Sequence, residues 1–286
     1  MKKLLALIVL LVAVTVAPAR AQISDTYAGL DPWSWAPDPC TASQGLVVYE
    51  PEAPGRYPVL LYMSGTTSDW DGGATLEGRK VASEAAGLGF VAAAVRYDSW
   101  ITNSPSGVDG HARCMFRVGP SSALSKLCAR AKADCSLGVF SGGHSQGGAI
   151  AARSANVSPL VRAGLLLGVS GPNIPEARAA PNGTRMLPND RIRIVTGVRD
   201  VGTDYSTMNA ISGRNCTVPQ CLAADGSGYY VVQDQETADG VADHCYHHAG
   251  GCNWYPTFDA HWAPPSERPW ALLPGLRWLT RYAGGG

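Results

Sequence analysis

Apolar residues gather along this chain in short blocks separated by longer segments of mixed polarity. Gly45 to Tyr49, Tyr57 to Met63, Phe90 to Val95, Leu137 to Ser141, Ala163 to Val169, Arg191 to Thr196 and Tyr229 to Val232 are four to seven residues long and mostly apolar. Blocks without polar alternation predict strands buried on both faces, as in parallel sheets. Thr75 to Ala86 and Ser121 to Lys132 instead repeat apolar residues at spacings of three and four. Pro269 to Tyr282 does so through Leu272, Leu273, Leu276, Trp278 and Leu279, which predicts a C-terminal helix packed on the sheet. Strands alternating with helices predict the α/β class, a mostly parallel central sheet flanked by helices. No repeat or linker interrupts the pattern, and Gly171 to Asp190, rich in Pro, Gly and Asn, predicts a surface connection too short for a large cap domain.

The first residues follow a different logic. Lys2 and Lys3 precede an apolar run from Leu4 to Ala17, and Ala19-Arg20-Ala21 has the small-x-small spacing of a signal-peptidase site. Residues 1–21 are therefore expected to be a signal peptide and 22–286 a single domain, secreted or periplasmic. The run is short of the roughly 20 apolar residues that a bilayer span needs, so no membrane span is expected. Without the three basic residues of the leader, 20 basic side chains stand against 23 acidic ones, with no basic block. That balance argues against nucleic acid and anionic membranes as partners.

Export also changes the meaning of the cysteines. All eight lie after the leader, at Cys40, Cys114, Cys128, Cys135, Cys216, Cys221, Cys245 and Cys252, and an oxidising compartment favours disulfides. Proximity in sequence suggests Cys128 with Cys135, Cys216 with Cys221 and Cys245 with Cys252, which leaves Cys40 for Cys114. Each short loop so closed would contribute about 2–3 kcal/mol.

Chemistry enters at Gly143-His144-Ser145-Gln146-Gly147-Gly148, a Gly-x-Ser-x-Gly pattern. Glycine fills 33 of 286 positions, so the pattern alone is weak evidence. Its context is stronger, because it follows an apolar strand and opens a small-residue helix, Gly148 to Ala155. That is the strand-turn-helix setting in which a serine stands clear of the backbone as a nucleophile. The Gln146 N–H at the helix start is a candidate oxyanion donor. Ser64-Gly65-Thr66-Thr67, directly after the strand ending at Met63, makes the Thr66 N–H the candidate second donor.

A serine nucleophile needs a histidine base and a carboxylate to orient it. Asp200, just beyond the strand that begins at Arg191, is the expected acid, since functional residues collect at the C-terminal ends of parallel strands. Asp204 is the alternative, with a helix N-cap for the segment from Tyr205 as its structural role. His244, His247, His248 and His261 all follow the strand ending at Val232. His261 is expected to be the base because it lies shortly before the final helix, whereas the others sit in a segment that Cys245 and Cys252 would fold into a loop of its own; His248 is the alternative. His111 and His144 precede the acid and are expected to be structural. The cluster of histidines and cysteines also has the makings of a zinc set, but exported cysteines usually pair with each other, so no metal and no cofactor are expected. Trp70, Tyr97, Trp100, Trp254 and Trp262 are candidates to stack on an acyl group, or else core anchors.

In order and spacing, the Ser145 motif, the Ser64-Gly65-Thr66 turn, Asp200 and His261 resemble the α/β-hydrolase superfamily across nearly the whole chain after residue 21. Within it the chain looks like lidless secreted enzymes such as cutinases and bacterial polyester hydrolases. The resemblance implies cleavage of small-molecule or polymeric carboxylic esters through an acyl-enzyme, without a cofactor. It equally admits a peptidase or acyltransferase on the same scaffold, or a binding protein that has lost the chemistry.

Overall fold

In a computed structural model, residues 22–284 are described apart from 32, 37, 67–74, 100–104, 170–186, 201–204 and 253–256. The expected signal peptide, Thr67, Asp204, Trp70, Trp100, Trp254 and most of the Gly171 to Asp190 connection therefore lie outside the described residues. The strands are Gln22–Gly29 (β1), Ala42–Tyr49 (β2), Val59–Met63 (β3), Val91–Val95 (β4), Val139–His144 (β5), Val161–Leu167 (β6), Ile192–Gly197 (β7), Gln220–Leu222 (β8) and Gly228–Val232 (β9). They form one sheet in the order β1-β2-β4-β3-β5-β6-β7-β9-β8. From β4 to β9 every neighbour is parallel, while β1, β2 and β8 join antiparallel at the edges. This is an α/β-hydrolase fold, as the resemblance implies.

Each of the seven apolar blocks becomes a strand, shifted by a residue or a few at the ends. The side chains alternate between two cores: Val59, Leu61 and Met63 of β3 enter one, and Leu60 and Tyr62 enter the other. The helices are Leu76–Gly87 (α1), Pro105–Phe116 (α2), Ala123–Cys128 (α3), Gln146–Val157 (α4), Tyr205–Ser212 (α5) and Leu272–Thr280 (α6). Helices α2 to α5 cover the first face through residues such as Met115, Leu127, Ile150 and Ile211. Helices α1 and α6 cover the second through Val81, Ala85, Leu276 and Leu279. Thr75 starts α1 where the pattern places it, its hydroxyl accepting from the Gly78 N–H at 2.9 Å.

Two strands and two helices have no counterpart among the predicted elements. Strand β1 lies at the sheet edge with partly exposed, mostly polar residues, so no apolar block marks it. Helix α2 carries its buried Val108, Ala112, Met115 and Phe116 among glycines. One of these, Gly110, leaves little room, because a Cβ there would stand 3.0 Å from the Leu30 side chain, which would have to shift. The Ser121 to Lys132 segment is helical only over α3.

The four disulfides are those suggested by proximity: Cys40–Cys114, Cys128–Cys135, Cys216–Cys221 and Cys245–Cys252. Among the described residues no helix is long and apolar enough to cross a membrane.

Candidate active site

Strand β5 ends at His144, and α4 begins at Gln146, so Ser145 alone makes the turn between them. It does so at φ 54° and ψ −122°, and it is the one non-glycine residue with positive φ among the described residues. Such a conformation costs on the order of 1–3 kcal/mol and persists only where surrounding structure enforces it. The enforcement is visible. The Ser145 N–H donates to the Leu167 carbonyl on neighbouring β6 at 2.8 Å, and the Ser145 carbonyl accepts from Ala149 at 3.1 Å.

The flanking glycines let three backbones meet. A Cβ on Gly143 would run into the Gly147 carbonyl, one on Gly147 into the carbonyls of Met63 and Ser64, and one on Gly148 into Val169. Backbone atoms at the centre of a sheet cannot yield as a side chain can. Gly147→Ala is therefore expected to destabilise the protein by about 2–3 kcal/mol, lowering Tm by roughly 5–10 °C. In a thermal melt, Gly119→Ala, whose nearest atom would be 4.0 Å away, should stay close to wild type.

The turn after β3 reaches the same place. A Cβ on Gly65 would lie 3.0 Å from Ser145 Cβ and 3.1 Å from His144 Nδ1, so this glycine allows the 64–66 backbone to approach the serine. Tyr97 holds the turn from outside, its buried hydroxyl donating to the Ser64 carbonyl at 2.6 Å. Thr66 is half-buried just beyond. The sequence-predicted donors Thr66 and Gln146 thus sit on the two segments that converge on Ser145.

Asp200 follows β7, as the strand-end reasoning expects, and is buried. Its two oxygens are both engaged: Oδ2 accepts from the Thr196 hydroxyl at 2.8 Å, and Oδ1 lies 2.8 Å from Nδ1 of His244. The histidine beside Asp200 is thus His244, where His261 was expected. The loop after β9 docks directly on the end of β7, because the Arg199 N–H donates to the Ala242 carbonyl at 2.8 Å. Gly197 has no Cβ to obstruct the carbonyls of Ala242 and Asp243. His261 is engaged elsewhere, its Nδ1 donating to the Glu236 carbonyl at 2.8 Å and its backbone N–H donating to Asp259. His248, the other candidate, packs on Phe258 with ring centroids 5.1 Å apart. The clue available in the sequence was the position of His244, next to Cys245 and soon after the last long strand; the staple steadies the loop beside it.

His244 also touches the elbow. Its ring centroid is 4.7 Å from that of His144, and its main-chain carbonyl accepts from His144 Nε2 at 2.9 Å. Burial pushes the His244 imidazole down, but the hydrogen bond and charge of Asp200, helped by Asp243 and Glu77, outweigh it and hold the group above its ordinary value. His144 is driven well below that range by burial and by His247, and stays neutral.

Behind this pair sits a polar pocket that the sequence did not suggest. Glu77, in the first turn of α1, is buried and accepts from the Tyr62 hydroxyl. Its Oε2 lies 3.6 Å from Nε2 of the fully buried His247 and 4.0 Å from Nδ1 of His144. Burial pushes the Glu77 carboxyl up, yet His247, His144 and Tyr62 together hold it at about 2. Glu77, His247 and His248 are the one group among the described residues whose donors could hold a metal ion. Of the described aromatic candidates, Tyr97 and Trp262 are buried core residues.

No protein-family model and no curated protein matches the chain. Among solved structures it is similar to Thermogutta terrifontis esterase 2 phosphorylated by paraoxon, at 14% identity and a TM-score of 0.46 over 91% of this chain and 92% of that one. The same esterase phosphonylated by cyclosarin gives 14% and 0.46 over 93% of each chain. Pyrococcus horikoshii acylaminoacyl peptidase gives 12% and 0.45 over 76% of this chain and 37% of that one. Such likenesses concern chain path alone, and the chemistry rests on this chain's own residues.

Proposed function

We propose that this protein is a secreted serine hydrolase that cleaves carboxylic esters through an acyl-enzyme. The observation that carries this reading is a serine held in a strained turn, next in sequence to His144, against whose ring lies a histidine already paired with a buried carboxylate. With Nδ1–H of His244 donated to Asp200 Oδ1 at 2.8 Å, Nε2 is the nitrogen left to take a proton. Ser145 Oγ attacks the ester carbonyl carbon while its proton passes to His244 Nε2. The oxyanion so formed is held by the N–H groups of Gln146 and Thr66, the former strengthened by the N-terminal end of α4. The imidazolium, stabilised by Asp200, returns the proton to the alcohol oxygen as the ester bond breaks. Water then repeats the sequence on the acyl-serine and releases the acid. No step calls for an organic cofactor.

Leader residues 1–21 and the four disulfides support export, and esters of short to medium acyl chain are the expected substrates. Labelling of Ser145 by a fluorophosphonate, together with a panel of p-nitrophenyl esters and matched anilides, tests the reading. Labelling and ester turnover with little anilide turnover are expected. Absence of both labelling and turnover would leave the fold without its chemistry, and preferential anilide cleavage would make the protein a peptidase.

The base must be neutral to accept a proton, and Asp200 holds its pKa above the ordinary histidine value of 6.5. Ester hydrolysis should therefore climb as pH rises through a midpoint above that value. Asp200→Asn should both lower kcat and move the midpoint down; an unmoved midpoint would mean that another group controls the acid limb.

A further inference from the structure

Glu77 comes from α1, while His247 and His248 come from the loop that carries His244. One donor atom from each lies within 4.8 Å of the other two. We propose that these three residues form a site for a divalent transition metal, with zinc the ion that their donors suit best. Two imidazoles and a carboxylate, with no thiolate, are a borderline set that favours zinc over the oxygen-seeking calcium and magnesium.

The distances suit a shared ion better than direct bonds. Glu77 Oε1 is taken by the Tyr62 hydroxyl, and Oε2 faces His247 Nε2 at 3.6 Å and His144 Nδ1 at 4.0 Å. Both are too long for hydrogen bonds. The first of these, between two of the proposed ligands, is close to the spacing of roughly 3.3–3.5 Å between two ligands that each stand about 2.0–2.1 Å from a tetrahedral zinc.

The burial of His247 points the same way. His247 is fully buried, and neither of its ring nitrogens has a hydrogen-bond partner, a costly state for an imidazole. Bound zinc would tie α1 to the base loop, three residues from His244, and so steady the base from behind.

The test uses the intact chain, stripped with a chelator and then titrated with zinc chloride. Mass-spectrometric metal analysis should find about one zinc per chain, and loading should raise Tm by roughly 5 °C. Cobalt(II) in its place should give visible d–d absorption. His247→Gln and His248→Gln should each weaken zinc binding by about 100-fold, while His261→Gln leaves it unchanged. The proposal is overturned if the stripped and zinc-treated wild type melt together with no zinc retained. It is equally overturned if both glutamine variants keep full zinc affinity. Metal content and melting are read without substrate, so this result stands apart from success or failure of the esterase reading.

Discussion

His244→Ala is expected to lower kcat for p-nitrophenyl ester hydrolysis by about 1,000- to 10,000-fold, whereas His261→Ala stays within about threefold of wild type. The asymmetry follows from their surroundings. His244 shares a 2.8 Å contact with Asp200, a carboxylate already oriented by Thr196, so removing it takes away the proposed proton acceptor. His261 binds the Glu236 carbonyl, and its loss removes one hydrogen bond of a connection ahead of α6, worth about 1 kcal/mol of stability. The two variants should therefore separate by readout, one in rate and the other slightly in melting temperature. Equal, severe losses of activity in both folded variants would reject His244 as the unique base.

Ser145→Ala is the second large effect, with an expected loss of about 10,000-fold or more in kcat and complete loss of fluorophosphonate labelling. Stability should change little or even rise slightly. Alanine occupies positive φ no more comfortably than serine, but it removes a polar hydroxyl from a strained turn. Members of a catalytic triad act as a unit, so in the proposed mechanism Ser145→Ala combined with His244→Ala should be hardly worse than either alone. Additive losses would mean that the two side chains work in separate steps.

The elbow and the place of Asp200 after β7 were legible because both are local. A strand running straight into Gly-His-Ser-Gln-Gly needs only neighbouring residues to make its turn, and Asp200 needs only to follow the end of β7. The histidine beside Asp200 was not legible, because its place depends on which of four histidines a long irregular segment brings back over the sheet. Proximity to α6 favoured His261. The deciding contacts are the docking of Ala242 and Asp243 on Gly197 and Arg199, between residues some 40 positions apart. Glu77 was invisible for the same reason. On α1 it reads as a first-turn acid suited to the helix dipole, and only the stacking of α1 over β3, with the return of His247, makes it a buried charge.

The amino-acid sequence by itself determined the α/β class, seven of the nine strands among the described residues, the cysteine pairs and the serine elbow. Each of these is written in spacing over a few residues, or, for Cys40 and Cys114, in what remained once the near neighbours had paired. Tertiary structure alone decided the edge strand β1, the identity of the histidine beside Asp200, and the meeting of Glu77 with His247 and His248. These rest on contacts between distant segments, and periodicity along a chain carries no information about which distant segment will arrive.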